Sequence, residues 1–232
     1  MGRPLLIFAM PAEERPFERA AQRRPTFRLE RTSKRACLSW SGGTLDVALT
    51  GVGQHGVERL LAREAPSEVL HAGFAGGLSD RVERFGIYRI DRIRRAQDVV
   101  DVPASRFAAA LAPLEPRSIV TVPLMLGAAD KATMRKDGAA DLVDMESWWV
   151  MAWCRERGIP YTGVRAVTDL SADEIPEAVR DAYDGRDFHI SHVLGAALTK
   201  PSLWAPLLEL KRRADRAAAA LAEVLLDAIE RR

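Results

Sequence analysis

Three carboxylates in this 232-residue chain, Glu13, Glu146 and Asp169, each stand just beyond a short apolar run of the kind that forms a strand. A carboxyl held in a partly apolar pocket keeps its proton to higher pH and can act as a general acid near neutrality. A second, ionised carboxylate can orient water or sugar hydroxyls. Together these are the groups that cleave a glycosidic bond through an oxocarbenium-like state. Each also has a plainer role: Asp169 capping a turn with Ser171, Glu146 favouring a helix dipole, Glu13 placing charge at a helix start. Their shared position, at the carboxyl ends of strands where open α/β sheets collect function, argues for chemistry.

Two glycine clusters follow other strand-like runs. Gly51 and Gly53 predict one tight strand-to-helix turn, and Gly73, Gly76 and Gly77 another. Such turns expose backbone N–H groups able to hold an anion or a hydroxyl. Neither cluster matches GxGxxG with a suitably spaced ribose acid, nor GxxxxGKS, so they read equally as structural turns and as ligand turns.

The elements that must position these residues are legible as alternation. Apolar runs fall at 5–9, 45–50, 69–72, 119–122 and 162–167, and several are apolar at consecutive positions, not alternating, as in strands buried on both faces. Helical patterns at 13–23, 57–64, 104–111, 131–136 and 146–156 fall between them. That alternation predicts a three-layer α/β fold with a mixed central sheet. From 204 to 229, Leu207, Leu210, Ala214, Ala217, Leu221, Val224 and Ala228 form one stripe of a long amphipathic helix. Without repeats or a Pro/Gly-rich linker, residues 1–232 read as a single domain.

Composition narrows the class. Hydrophobic residues make up 47% and charged residues 28%, which is globular and excludes a disordered or collagen-like chain. A net charge of +2 is no footprint for nucleic acid or an anionic membrane, and the basic runs at 19–35 and 81–95 read as solvated faces. Cys37 and Cys154 are too few for a disulfide framework or a zinc cluster, and Cys154 reads as a reduced core thiol. The histidines, His55, His71, His189 and His192, lack metal-ligand spacing. No segment reaches the length of a membrane helix, and the apolar run at 5–10 is too short for a signal-peptide core. The expectation is a soluble cytoplasmic protein. Trp148, Trp149 and Trp153 follow Glu146 and read as core or dimer packing.

At this point the chain resembles the nucleoside phosphorylase family, on the methylthioadenosine/S-adenosylhomocysteine nucleosidase side. Ala9-Met10 followed by Glu13, TGVG at 50–53, AGFAGGL at 72–78, VDMES at 143–147 and VRAVTDLSAD at 164–173 occur in the family's order across roughly residues 5–200. The tail, with Asp184-Gly185 and the stretch from Lys200-Pro201 to Leu208, is more weakly similar to hopanoid-associated phosphorylases, which act on adenosylhopane. The resemblance implies that Asp169 protonates purine N7. It implies that Glu146 holds ribose hydroxyls, that Met145 packs under the sugar and that Glu13 orients attacking water. Gly53, Gly73 and Phe74 would line the substrate site, and Arg165 would stand behind Asp169. It further implies a small-molecule nucleoside as partner, no cofactor and no metal, with phosphate as a possible co-substrate, and assembly as a homodimer or larger oligomer.

The departures also carry information. His71-Ala72 precede Gly73 where phosphorolytic relatives place a phosphate-gripping arginine, which favours water as nucleophile. Phe74 stands where nucleosidases carry a small residue, commonly Ser, and a ring there would narrow the nucleophile pocket. The base-binding stretch Val122-Pro123-Leu124-Met125-Leu126 is wholly apolar. It reads either as a strand continuing into the core or as a greasy entrance for a hydrophobic 5′ substituent. The reading is hydrolytic cleavage of an adenosyl-type nucleoside. Its alternatives are a phosphorylase and a non-catalytic nucleoside-binding protein on the same fold.

Overall fold

A computed structural model describes residues 2–32, 35–103, 105–138 and 140–232. Its strands form one mixed sheet, made of β1 (Leu5–Phe8), β2 (Arg28–Arg31), β3 (Ala36–Trp40), β4 (Gly43–Leu49), β5 (Val69–Gly77), β6 (Ile87–Arg95), β7 (Asp98–Asp101), β8 (Pro116–Thr121), β9 (Leu142–Asp144) and β10 (Tyr161–Asp169). The helices are α1 (Pro11–Arg23), α2 (Gly53–Leu61), α3 (Arg106–Ala110), α4 (Ala128–Lys136), α5 (Ser147–Glu156), α6 (Glu177–Arg180), α7 (Ile190–Thr199) and α8 (Trp204–Glu230).

Strand β5 is the hub. It runs parallel to β1 on one side and to β10 on the other, and its last two residues turn to pair antiparallel with β9. Because β10 pairs with β6, β6 with β8, and β8 with β9, these strands and β5 close into a ring. Beyond β1 the sheet continues through β4, β3 and β2.

Alternation along the strands sorts the core into two layers. Leu6 and Phe8 face Phe17 and Ala21 of α1 and Ala217, Leu221 and Leu225 of α8. Leu5 and Ile7 face Val57 and Leu61 of α2 and Val150, Met151 and Cys154 of α5. Every residue of β1 and of β10 is buried, as expected for strands covered on both faces. The expected three-layer fold is what forms. The stripe on α8 divides its work: Leu207 and Leu210 pack with Ile175, Val179 and Val193, while Ala217 onward lies under the sheet.

Several elements escaped the pattern reading. β6 lies within the basic run taken as a solvated face. Its buried Tyr88, Ile90 and Ile93 are masked in sequence by intervening Arg and Asp. β2 and β7 are four-residue, largely exposed strands, and β9 has three residues. The helix read from 104 is observed as α3; Ala104 itself lies outside the described residues. Between β8 and α4, Leu124 is 55% exposed and Val122 only half-buried, so the apolar stretch at 122–126 is a loop and not a core strand. Cys154 is a buried free thiol whose pKa burial pushes up to about 12. Trp148, Trp149 and Trp153 pack half-buried on the α2–α5 layer, with the Arg95 guanidinium 4.1 Å above the Trp149 ring. Among the described residues no helix is long and apolar enough to cross a membrane.

Candidate active site

Pro11 opens α1, its fixed φ suited to a first helical turn. Two residues on, the Glu13 carboxylate folds back. Its Oε2 accepts the N–H groups of Ala9 and Met10, both at 2.9 Å, and its Oε1 accepts that of Phe74 at 2.8 Å. Glu13 therefore caps its own helix and also ties that helix to β5. Burial raises its pKa, and the N–H groups of Phe74, Met10 and Ala9 and the charge of Arg165 work in the other direction. The Phe74 ring packs against the α1–α8 layer, so Phe74 meets Glu13 through its backbone.

The second glycine cluster is not a turn. Gly73, Gly76 and Gly77 lie inside β5, which continues to Gly77. The bare Cα atoms serve close approach instead of a change of direction. A Cβ on Gly73 would lie 2.9 Å from Glu13 Oε1, and one on Gly76 would lie 3.1 Å from Asp169 Oδ2. The strand has no side chains where two of the three carboxylates need room.

The first cluster does turn the chain, with Gly51 at φ +85° and Gly53 at φ +76°. The Gly53 N–H, at the start of α2, donates to Glu146 Oε1 at 2.6 Å. Glu146 sits at the N-cap of α5, yet its side chain leaves that helix to reach Gly53. Burial and the neighbouring charge of Asp144 push its pKa up to about 8, with Glu13 adding to the rise and Gly53 and Arg165 opposing it. Met145 packs beside it with Val52 and Tyr183, flanked by Met10, Met125 and Phe188. Tyr183 lies so close over Gly53 that any Cβ there would meet its hydroxyl at 2.0 Å.

Arg165 has a different partner from the one expected. Its guanidinium is not bonded to Asp169. Nε and Nη2 donate to Asp144 Oδ2 at 3.1 and 2.9 Å, Nη1 to the His71 and Val164 carbonyls at 2.8 and 2.9 Å, and Nη2 also to Ser147 Oγ at 2.8 Å. Both side chains of the Arg165–Asp144 pair are 1% exposed. His71, within reach of Nη2 and of the Tyr161 hydroxyl, is held neutral: burial, then the Arg165 charge, lowers its pKa well below the usual value. The cation beside Asp169 is Lys131 of α4, at 2.7 Å. Asp144 stood in the VDMES block two residues before Glu146, and only that adjacency signalled it. Lys131 and Tyr183 carried no signal, because contacts across long sequence separations bring them in.

The structure thus gathers Glu13 and Glu146 within electrostatic reach of each other and places Asp169 opposite Gly76 on the neighbouring strand. Residues 121–230 match the phosphorylase superfamily. That superfamily match includes Lys131, Asp144, Glu146, Arg165 and Asp169; Glu13 and Gly53 lie outside it. No curated protein matches the sequence. Among solved structures, the chain superposes on futalosine hydrolase of Helicobacter pylori with a TM-score of 0.70 at 14% identity, covering 100% of both chains. It superposes on the 5′-methylthioadenosine/S-adenosylhomocysteine nucleosidase of the same organism with a TM-score of 0.71 at 13% identity, covering 100% of this chain and 99% of that one. An MTAN protein of Chlamydia trachomatis gives 0.65 at 19% identity, with 100% and 99% covered. These likenesses establish the fold.

Proposed function

We propose that this protein cleaves the N-glycosidic bond of an adenosyl-type purine nucleoside, with water as the nucleophile. The observation that carries the proposal is the pair of buried carboxylates, Glu13 and Glu146, whose pKa values are both raised. Two acids that resist ionisation in the same place call for a nearby cation. A ribosyl oxocarbenium ion supplies one, so their stabilisation is greatest in the transition state, where it accelerates the reaction. Gly73 and Gly76, which make room for Glu13 and Asp169, are three residues apart on β5, about 10 Å along a strand. A nucleoside extends over that span, with ribose beside Glu13 and Glu146 and base beside Asp169. In this reading Asp169 protonates N7, Glu146 holds the ribose hydroxyls, Met145 lies under the sugar, and Glu13 orients the water.

The choice of water rests on hydrogen-bond donors. Arg165 is the arginine beside Glu13 and Glu146, and its guanidinium N–H groups are spent on Asp144, His71, Val164 and Ser147. The N–H groups of Gly53 and Phe74 are taken by carboxylates. The apolar loop at 122–126, with Met125 packed beside Met145 and Phe188, supports a hydrophobic 5′ substituent such as that of adenosylhopane.

The test is incubation with adenosine, methylthioadenosine and a long-chain 5′-substituted adenosine, following adenine and sugar with and without phosphate. The expected products are adenine and the free sugar, ribose from adenosine and the 5-substituted ribose from the other two, at a rate indifferent to phosphate. The corresponding sugar 1-phosphate, formed faster as phosphate is added, would overturn the choice of nucleophile. Absence of base release from every substrate would favour the binding protein.

A further inference from the structure

Lys131 is 1% exposed, which for a lysine demands full pairing. Its three ammonium protons are all placed: Asp169 Oδ2 accepts at 2.7 Å, the Leu170 carbonyl at 2.9 Å and the Asp173 carbonyl at 3.0 Å. Two of these contacts are to backbone just after β10, so the ammonium also clamps the segment that carries Asp169. The other carboxylate oxygen, Oδ1, accepts from the Thr168 hydroxyl at 2.7 Å. The remaining cations that face this corner have carboxylates of their own. Arg84 binds Asp173 at 2.7 Å, and Arg213 binds Glu209 at 2.9 Å and Asp173 at 3.4 Å. Lys131 is the cation in direct contact with Asp169.

We propose that Lys131 is a positioning residue for Asp169, fixing the rotation of its carboxyl group and setting the pH range over which it holds a proton. The proposal rests on Asp169 being the acid. Lys131 does not itself meet the substrate. When Asp169 gives its proton to N7 it is left as the carboxylate, the form that the ammonium stabilises, and a proton from water restores the acid before the next turnover. Lys131 therefore favours the product side of proton transfer.

The test compares the parent with Lys131→Met, Lys131→Arg and Asp169→Asn, each checked for folding by circular dichroism. Lys131→Met is expected to lower kcat on the order of 100-fold with a smaller change in KM. The limb of its pH profile on which activity falls with rising pH should move up by about one unit or more, because an acid without its cation keeps its proton longer. Lys131→Arg keeps the charge but not the three-way grip, and should lower kcat while leaving that limb in place. Independently of turnover, the carbon-13 carboxyl resonance that disappears in Asp169→Asn should titrate at higher pH in Lys131→Met than in the parent. An unmoved resonance, or a Lys131→Met profile like the parent's while Asp169→Asn is inactive, overturns the proposal. Full activity in Asp169→Asn instead overturns the reading of Asp169 as the acid.

Discussion

The Glu13 carboxylate lies over the bare Cα of Gly73, so close that a methyl group there would come within 2.9 Å of Oε1. Glu13 is pinned by three backbone N–H groups and cannot move aside without losing them. Gly73→Ala should therefore cost about 1–3 kcal/mol of stability, as overpacking does. Displacing the carboxylate should also lower turnover on the order of 100-fold. Thermal melts and steady-state rates on the same preparation check both. A stable, fully active variant would mean that Glu13 has freedom the contact denies.

Asp169→Asn should still fold, at a cost in stability because buried Lys131 loses its counter-charge, and should lose most base release. The amide keeps the shape but cannot donate a proton matched to N7, and general acid catalysis contributes ~10²–10⁴-fold. Near-parental turnover would leave Asp169 as the end of a strand held by Lys131.

Glu146 should make stability fall with rising pH. Its folded pKa of about 8 lies above the ordinary value of 4.5. Between those values the folded chain holds a proton that the unfolded chain has released. The stabilisation is full below about pH 4.5 and is lost as pH climbs through 8. Glu13, raised in the same direction, adds to the slope. His71, held neutral in the folded chain, opposes this slope below its ordinary value of 6.5; the melting temperature of the ligand-free protein should therefore decline from there up to about pH 8, and Glu146→Gln should flatten the decline. An equally steep decline in the variant would place the titrating proton elsewhere. The same variant should weaken discrimination for a ribose 2′-hydroxyl; equal effects on ribo- and deoxyribonucleosides would remove Glu146 from the sugar.

Arg165→Met should destabilise the chain by about 3–5 kcal/mol, since Asp144 would keep a buried charge without its partner. The companion change Asp144→Asn on that background should recover part of the loss. Urea melts of the single and double variants measure the coupling. A negligible single-variant effect would show that this buried pair contributes little to stability.

The sequence by itself determined the layers and the carboxylates. Consecutive apolar residues at β1 are explained by burial on both faces, and the stripe on α8 by packing of one face. Glu13, Glu146 and Asp169 were legible because strand ends are local features. The tertiary structure alone decided what the carboxylates meet. Gly73 and Gly76 looked like a turn because glycine permits turns, but their role is to leave space, and the occupants of that space come from α1 and β10. Arg165 pairs with Asp144, and Asp169 with Lys131, across gaps of 21 and 38 residues. A buried charge must find a counter-charge somewhere, but periodicity does not reveal which one. Closure of β5, β10, β6, β8 and β9 into a ring brings those partners together.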